Sequence, residues 1–559
     1  MVATAPTKSA HAFSITRTGD VPDLAYFRRR YPETVANFGT LPRREEWLKR
    51  IWERETRWRA EWETRGGEPV SEEVLTKGAP PAGRVAEAEF DVVYAGGAAA
   101  LLHALALACG HERRVLVVGG ACADEGTTGG VWNLSEEELK ELEGAGLFSR
   151  AEIEAAVLNR YRGGFVKFHD ASSRVKAGPL WVSGSMDVAV DGERLLALAA
   201  ERLRRRGSKG CAVLETQRFV RAYVEPSRVT IETEAPEGVR RLFAARLFVD
   251  ASGADSPLAR QLNGERSSSN VRPAVGTVAR GFARGEEPDA ADFRTGEILV
   301  STEDASAHRQ LLWEAFAGAP ARGDYTTRLF FYDTTDSPAD KSLLALFERY
   351  FESLPTYKRR GAGWRVERPL FGYATVPREG WRSHRRVASE RTMLVGGDAA
   401  GAFTPRGVGA HAGDLRRIAR LTHRALASGA LDVDTLARIC EGRAARVASA
   451  VGLAEFMRLT ARGAPHTVNE TLNALMAALG GLDERVRREV FQGRMSTGAL
   501  RRLFARTARL YPRIFARVRE HFGARGTLWW LAGVAEAVWS ERRRRDASRG
   551  EREPGAAED

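Results

Sequence analysis

Three segments of this 559-residue chain join an apolar run to glycines and, in two of them, a carboxylate, in a pattern that could hold a dinucleotide. The first is GGAAAL at 96–101, directly after FDVVYA at 90–95. A turn of small residues there lets the backbone approach a pyrophosphate at a helix N-terminus, which points to Gly96, Gly97, Ala98 and Ala100. Only the first glycine of GxGxxG is kept. A small-residue turn also precedes many packed helices, so cofactor binding and plain packing both stand at this point. The second segment, FVDASGADSPLARQ at 248–261, reads as a strand ending in Asp250 and Gly253 before a helix. The third, VGGDAAGAFTPRGVG at 395–409, reads as a strand, a turn at Gly397 and Asp398, then Pro405 and a glycine-rich helix start near Gly409. One expected group is missing. The second strand, VLVV at 115–118, runs into Gly119 where an acid would bind ribose hydroxyls, and Asp124 and Glu125 follow in the next loop.

These segments need a scaffold, and the surrounding pattern predicts one. Strand, turn, Ala/Leu-rich helix and second strand over 90–118 form a βαβ unit, which implies a parallel sheet. Serine caps with early acids predict helices from 135 and 149. Residues 211–250 and 272–376 read as strand-rich, and 432–547 as mostly helical. The EEWLKRIWERETRWRAEWE stretch at 45–63 interleaves charges with Trp47, Trp52, Trp58 and Trp62, as an amphipathic helix does.

In this order and spacing the three segments resemble flavoproteins of the hydroxylase and isoprenoid-cyclase superfamily. The lack of a WxWxIP segment argues against a halogenase. Further stretches are WNLSEEELKELEGAGLFSRAEIEAAVLNRYRGGF at 132–165, LWEAFAGAPARGDYTTRLFFYD at 312–333, FESLP at 351–355, FGYATVP at 371–377 and GDAAGAFTPRGVGAHAGDLRRIARL at 397–421. Together these look like the CruA/CruP-type lycopene cyclase family over about residues 30–430, with WNLS and WEAF the specific parts. The chain departs from that family at Ala100, at Gly119, and at Phe403, Arg406 and His411, all of which bear on flavin affinity.

The resemblance implies an α/β fold: a Rossmann-like FAD-binding domain, an inserted β-rich substrate domain and a helical C-terminal region. The expected boundaries are an N-terminal helical extension and linker at 1–88, the FAD-binding domain at 89–271 and 381–430, the substrate domain at 272–380, the helical region at 431–547 and a disordered tail at 548–559. It implies FAD, in reduced form, held by Gly96, Gly97, Ala98, Ala100, Asp250, Gly253, Gly397, Asp398, Pro405 and Gly409, with NAD(P)H as the reductant.

The implied reaction is a non-redox cyclisation of a carotenoid such as lycopene. A proton adds to a terminal double bond, the cation closes a ring, and a proton leaves. Such a site needs an acid in an apolar pocket and an electron-rich group beside the cation. Glu314, between Leu312, Trp313 and Phe316, is the expected acid, because burial would keep it protonated. The competing reading is that strand alternation turns Glu314 outward as a surface acid. Trp132, Trp313, Phe316 and His411 are the expected pocket residues. Against this, Asn133 or Ser135 could merely cap the next helix, and a lone helix histidine is often structural. Three classes stand: the cyclase, another flavin enzyme (a reductase or hydroxylase) on an isoprenoid or aromatic substrate, and a non-catalytic relative with impaired flavin binding.

Composition narrows the setting. Hydrophobic residues at 43% and charged residues at 28% exclude a disordered chain and a collagen-like repeat. Cys109, Cys122, Cys211 and Cys440 are too scattered for a zinc site or a disulfide framework, so no metal is expected. The net charge is +12. Residues 501–550 hold 13 Arg, no Lys and four acids, or 13 − 4 = +9. With Trp529, Trp530 and Trp539 nearby, this predicts peripheral attachment to the inner face of the cytoplasmic membrane and no nucleic-acid partner. The competing reading packs those tryptophans onto the protein's own core.

Overall fold

The apolar run at 90–95 forms the strand Ala88–Gly96 at the centre of a parallel layer. It pairs with Val115–Val118 on one side and Arg240–Ala251 on the other. Ala212–Leu214 continues the layer beyond Val115–Val118, and Thr392–Leu394 pairs with the last residues of Arg240–Ala251. This computed structural model describes residues 21–62, 73–119, 130–252, 256–263, 268–335, 337, 339–377, 386–395, 415–440, 453–460, 463–492 and 495–550. Side chains at alternate positions of a strand point to opposite faces. Accordingly Val92, Tyr94, Val115 and Val117 pack with the helices Ala98–His111, Gly192–Arg205 and Leu415–Ser428. Val93, Ala95, Leu116 and Val118 pack with the antiparallel strands Arg218–Val224 and Val229–Glu234. The fold is thus α/β with a Rossmann-like dinucleotide unit, a large second sheet and a helical C-terminal region.

The second sheet is mainly antiparallel. Ser268–Phe282 lies between Arg360–Pro377 and Tyr325–Phe330, followed outward by Leu312–Ala317, Thr295–Val300, Gly163–Lys167 and Leu180–Val182. Two of these strands, from 163–182, come from the stretch expected in the first FAD-binding segment. The sheet therefore recruits chain from outside 272–380.

Residues 21–62 do not form a mere extension. Phe27, Phe38, Leu48, Ile51 and Trp58 belong to the core of the second sheet together with the helix Leu343–Tyr357. The backbone N–H groups of Glu33 and Thr34 donate to the Glu348 carboxylate at 2.9 and 3.0 Å. Glu55 is buried, pairs with Arg59 at 2.6 Å and accepts from the Ser342 hydroxyl at 2.9 Å. Ser342 caps the helix Leu343–Tyr357, so the N-terminal helices grip that helix at its start.

The WNLS motif divides between a strand and the serine-capped helix expected from 135. Val131–Leu134 is a strand, and the helix Glu136–Gly144 begins after it with a capping box between Ser135 and Glu138. Ser135, not Asn133, is the cap.

Candidate functional site: a glycine turn facing an acid-bearing sheet

Gly96 ends the central strand with φ +125°, a conformation that side chains rarely adopt. A Cβ there would stand 2.5 Å from the carbonyl carbon and oxygen of Ala251. Glycine is therefore demanded by the close approach of two parallel strands. Gly97 differs. It begins the helix Ala98–His111, no side chain caps that helix, and nothing lies within 4 Å of where its Cβ would be. The first N–H groups of the helix are left for an external acceptor, as a pyrophosphate site requires. Ala98 sits partly buried at the helix start, whereas Ala100 is fully buried in the apolar core. Ala100 thus serves helix–sheet packing.

Asp250 is not presented to a cofactor. Its carboxylate is buried, accepting from the Ser252 N–H at 2.8 Å and the Ser256 hydroxyl at 2.6 Å. Ser256 in turn accepts from the Ala259 N–H at 2.8 Å. Asp250 therefore ties the strand end to the helix Pro257–Asn263. Its burial pushes the carboxyl pKa up, and these hydrogen bonds oppose the shift. Gly119 has φ +75° and its Cβ would meet the Gln217 carbonyl at 3.3 Å. An acid would be strained at this position.

Gly253, Gly397, Asp398, Pro405, Gly409 and His411 lie outside the described residues. The strand leading to Gly397 ends beside the glycine turn: the Val395 N–H donates to the Asp250 carbonyl at 2.9 Å, and Asp250 is paired with Ala95, one residue before Gly96. The carboxyl ends of the parallel strands thus converge where a doubly wound sheet binds ligands.

Glu314 lies in Leu312–Ala317 and is buried, not outward-facing. It pairs across the sheet with Arg328, whose guanidinium donates to it at 2.8 Å. The Arg328 side chain passes over Gly276, where a Cβ would be 2.9 Å from its Cγ. Register puts Glu314, Phe316, Arg328 and Arg368 on one face of the sheet. Arg368 donates at 2.8 Å to Glu193, in the first turn of the helix Gly192–Arg205. That face therefore looks toward the dinucleotide unit. Phe316 lies over Gly296 and beside Tyr161 on the same side.

Two expected pocket residues are elsewhere. Trp313 is on the opposite face, stacked on Tyr357 at 4.5 Å within the core. Trp132 covers Gly192, where a Cβ would clash with the indole, and so packs the helix Gly192–Arg205. Sequence reasoning missed Arg328 and Arg368. Strand alternation in TTRLF could have marked Arg328 as facing the same way as Thr326, but not what it would face.

No protein-family model and no curated protein matches the chain. Solved structures do. The halogenase PltM has 13% sequence identity and a TM-score of 0.50, covering 81% of this chain and 97% of that one. A variant of the same halogenase in complex with FAD gives 13% and 0.50, with 81% and 96% covered. A geranylgeranyl bacteriochlorophyll reductase-like protein from Thermoplasma acidophilum gives 13% and 0.48, covering 78% and 99%. At this identity the likeness is one of fold alone, a Rossmann-like α/β architecture shared with the halogenase structures.

Proposed function

We propose that the chain is an FAD-dependent enzyme, and that its reaction is the proton-initiated cyclisation of a lycopene-type end group. The flavin part is supported by the glycine turn. Gly96 lets the strands close, and Gly97 leaves an uncapped helix start at their carboxyl ends. When bound in reduced form, FAD would supply an electron-rich face beside a developing cation, with NAD(P)H as its source of electrons. The cyclase part rests on the WNLS and WEAF resemblance and on one observation: Glu314 is buried on the sheet face that looks toward the dinucleotide unit. Glu314 would deliver the proton, Phe316 would help exclude water, and Arg328 would hold the carboxyl in place.

The test is product analysis in cells that accumulate lycopene, with FAD uptake of the purified protein measured in parallel. Ring-bearing products are expected, and Glu314→Gln should lower their formation by about 10²–10⁴-fold with FAD content unchanged. FAD uptake without ring products would overturn the cyclase reading alone. Absence of FAD uptake would overturn both and leave the non-catalytic class.

One observation favours a second reading, an FAD-dependent reductase or hydroxylase on an isoprenoid or aromatic substrate. Glu314 is bound to Arg328 at 2.8 Å. A carboxylate that anchors a guanidinium can position a substrate group without giving up a proton. Under this reading, Glu314→Gln raises KM more than it lowers kcat.

A further inference from the structure

The helix Ile514–Gly550 is interrupted at Gly523, where φ is +69° and ψ is +173°. The corner is fixed to the body of the protein. Trp530 stacks on Phe522 with centroids 5.9 Å apart and meets Phe504 edge-on at 5.6 Å, and Phe456 and Val518 complete the cluster. Trp530 is therefore a core residue, contrary to the expectation that it reaches a membrane. The outward side of the same helix is different. Leu528 is 69% exposed, Leu531 52% and Phe515, before the corner, 66%. Leu528, Leu531 and Ala535 recur at i, i+3 and i+7, so they form one stripe on the helix surface, and Trp539 continues it.

Arginines flank these exposed apolar side chains along the sequence. Arg519 and Arg525 are exposed on the same helix, Arg513 just before its start, and Arg501, Arg506 and Arg509 on the preceding helix Thr497–Leu510. Arg542–Arg545 follow the stripe in sequence, and residues 501–550 carry a formal charge of +9 by the count above. We propose that this surface docks on an anionic lipid bilayer, with Phe515, Leu528 and Leu531 entering the headgroup zone and the arginines contacting lipid phosphates. Charge complementarity selects this occupant. A second copy of the chain would bring arginine against arginine, whereas anionic lipid pairs with them and accepts the apolar side chains between. Among the described residues no helix is long and apolar enough to cross a membrane, so the contact is one of surface attachment. The proposal is independent of which reaction the flavin site performs.

The test is flotation of the full chain with vesicles rich in phosphatidylglycerol or made of phosphatidylcholine alone. Binding to the anionic vesicles should exceed binding to neutral ones by about tenfold or more, and should weaken as salt is raised. The variant Phe515→Glu/Leu528→Glu/Leu531→Glu changes exposed side chains only. It should lose at least about tenfold in bound fraction while its thermal unfolding is unchanged. Arg513→Gln/Arg519→Gln/Arg525→Gln should reduce binding and flatten its salt dependence. Undiminished flotation of the glutamate variant, or no flotation of the unaltered chain, would overturn the proposal. So would a self-association that the glutamate variant disperses, because the occupant would then be a second copy.

Discussion

The parallel layer and the second sheet are held together in different ways. In the parallel layer, Val115–Val118 is buried throughout and its neighbours are almost all aliphatic. The polar exceptions include Tyr94 and His103, whose rings meet edge-on at 5.3 Å and whose polar atoms have no hydrogen-bond partner among the described residues. The core under the second sheet is stitched by polar pairs. The Tyr350 hydroxyl meets those of Thr277 and Thr327 at 2.7 and 2.6 Å. The Lys358 ammonium is ion-paired with Glu297, which also accepts from the Tyr357 hydroxyl at 2.6 Å. Burial pushes the Glu297 carboxyl pKa up, and the Lys358 charge opposes that shift. Lys341 and Asp333 form another buried pair at 3.2 Å. A parallel layer covered on both faces is specified by apolar packing and by backbone fit at its glycines. The second sheet has long strands on which a helix must find one position, and directional pairs supply that position.

The comparison breaks most severely at Lys358. Lys358→Met strands a buried carboxylate and should cost about 3–5 kcal/mol in urea unfolding. Lys358→Met/Glu297→Leu removes both charges and should recover most of the loss. If it does not, the pair is a packing element and the contrast between the sheets fails. In the parallel unit the corresponding weak point is backbone. Gly96→Ala places a Cβ against Ala251 in a left-handed residue and should cost about 3 kcal/mol or more, with loss of FAD uptake.

A pH titration sharpens the contrast next. Burial lowers the His103 pKa from 6.5 to about 3, and His521 behaves likewise. Between these values the unfolded chain binds protons that the folded chain does not. Stability is therefore full above about pH 6.5 and falls toward pH 3, by up to about 1.4 kcal/mol per pH unit for each histidine. His103→Leu should flatten the slope by one proton, read from urea midpoints at pH 7.5 and 5.5. The smallest stability effect is expected at Gly97→Ala, within about 0.5 kcal/mol, since its Cβ enters open space. The same change should weaken FAD binding measurably, because that space is where the pyrophosphate would stand.

Much of the parallel layer was legible because its signals are local. FDVVYA followed by GGAAAL specifies strand, turn and helix within a dozen residues. Asp250 shows one limit, because a strand-terminal acid looks alike in sequence whether it serves a ribose or its own turn. Ser252 and Ser256, two and six residues on, carried the correct answer. Trp313 and Glu314 show the limit in the second sheet. Alternation sends them to opposite faces, but only the assembled layers show that one face meets a helix and the other the dinucleotide unit. The tryptophans near 530 were sorted by helix face, with Trp530 inward and the Leu528 stripe outward, which depends on where Phe504 and Phe522 come to rest. The N-terminal helices looked like an extension because their partner helix is remote in sequence.

That remoteness has a consequence for how the chain is made. The contact between Glu33 and Glu348 spans 315 residues. At a synthesis rate of roughly 5–20 residues per second, the N-terminal helices emerge roughly 15–60 s before the helix they grip. During that interval Phe27, Phe38 and Ile51 have no core to enter, since the strands and helix that bury them are still unmade. The parallel layer faces a similar delay, because its last strand, Thr392–Leu394, is made later still. The chain therefore spends much of its synthesis with the apolar faces of amphipathic helices waiting, and its yield in a cell depends on what shields them until residue 348 arrives.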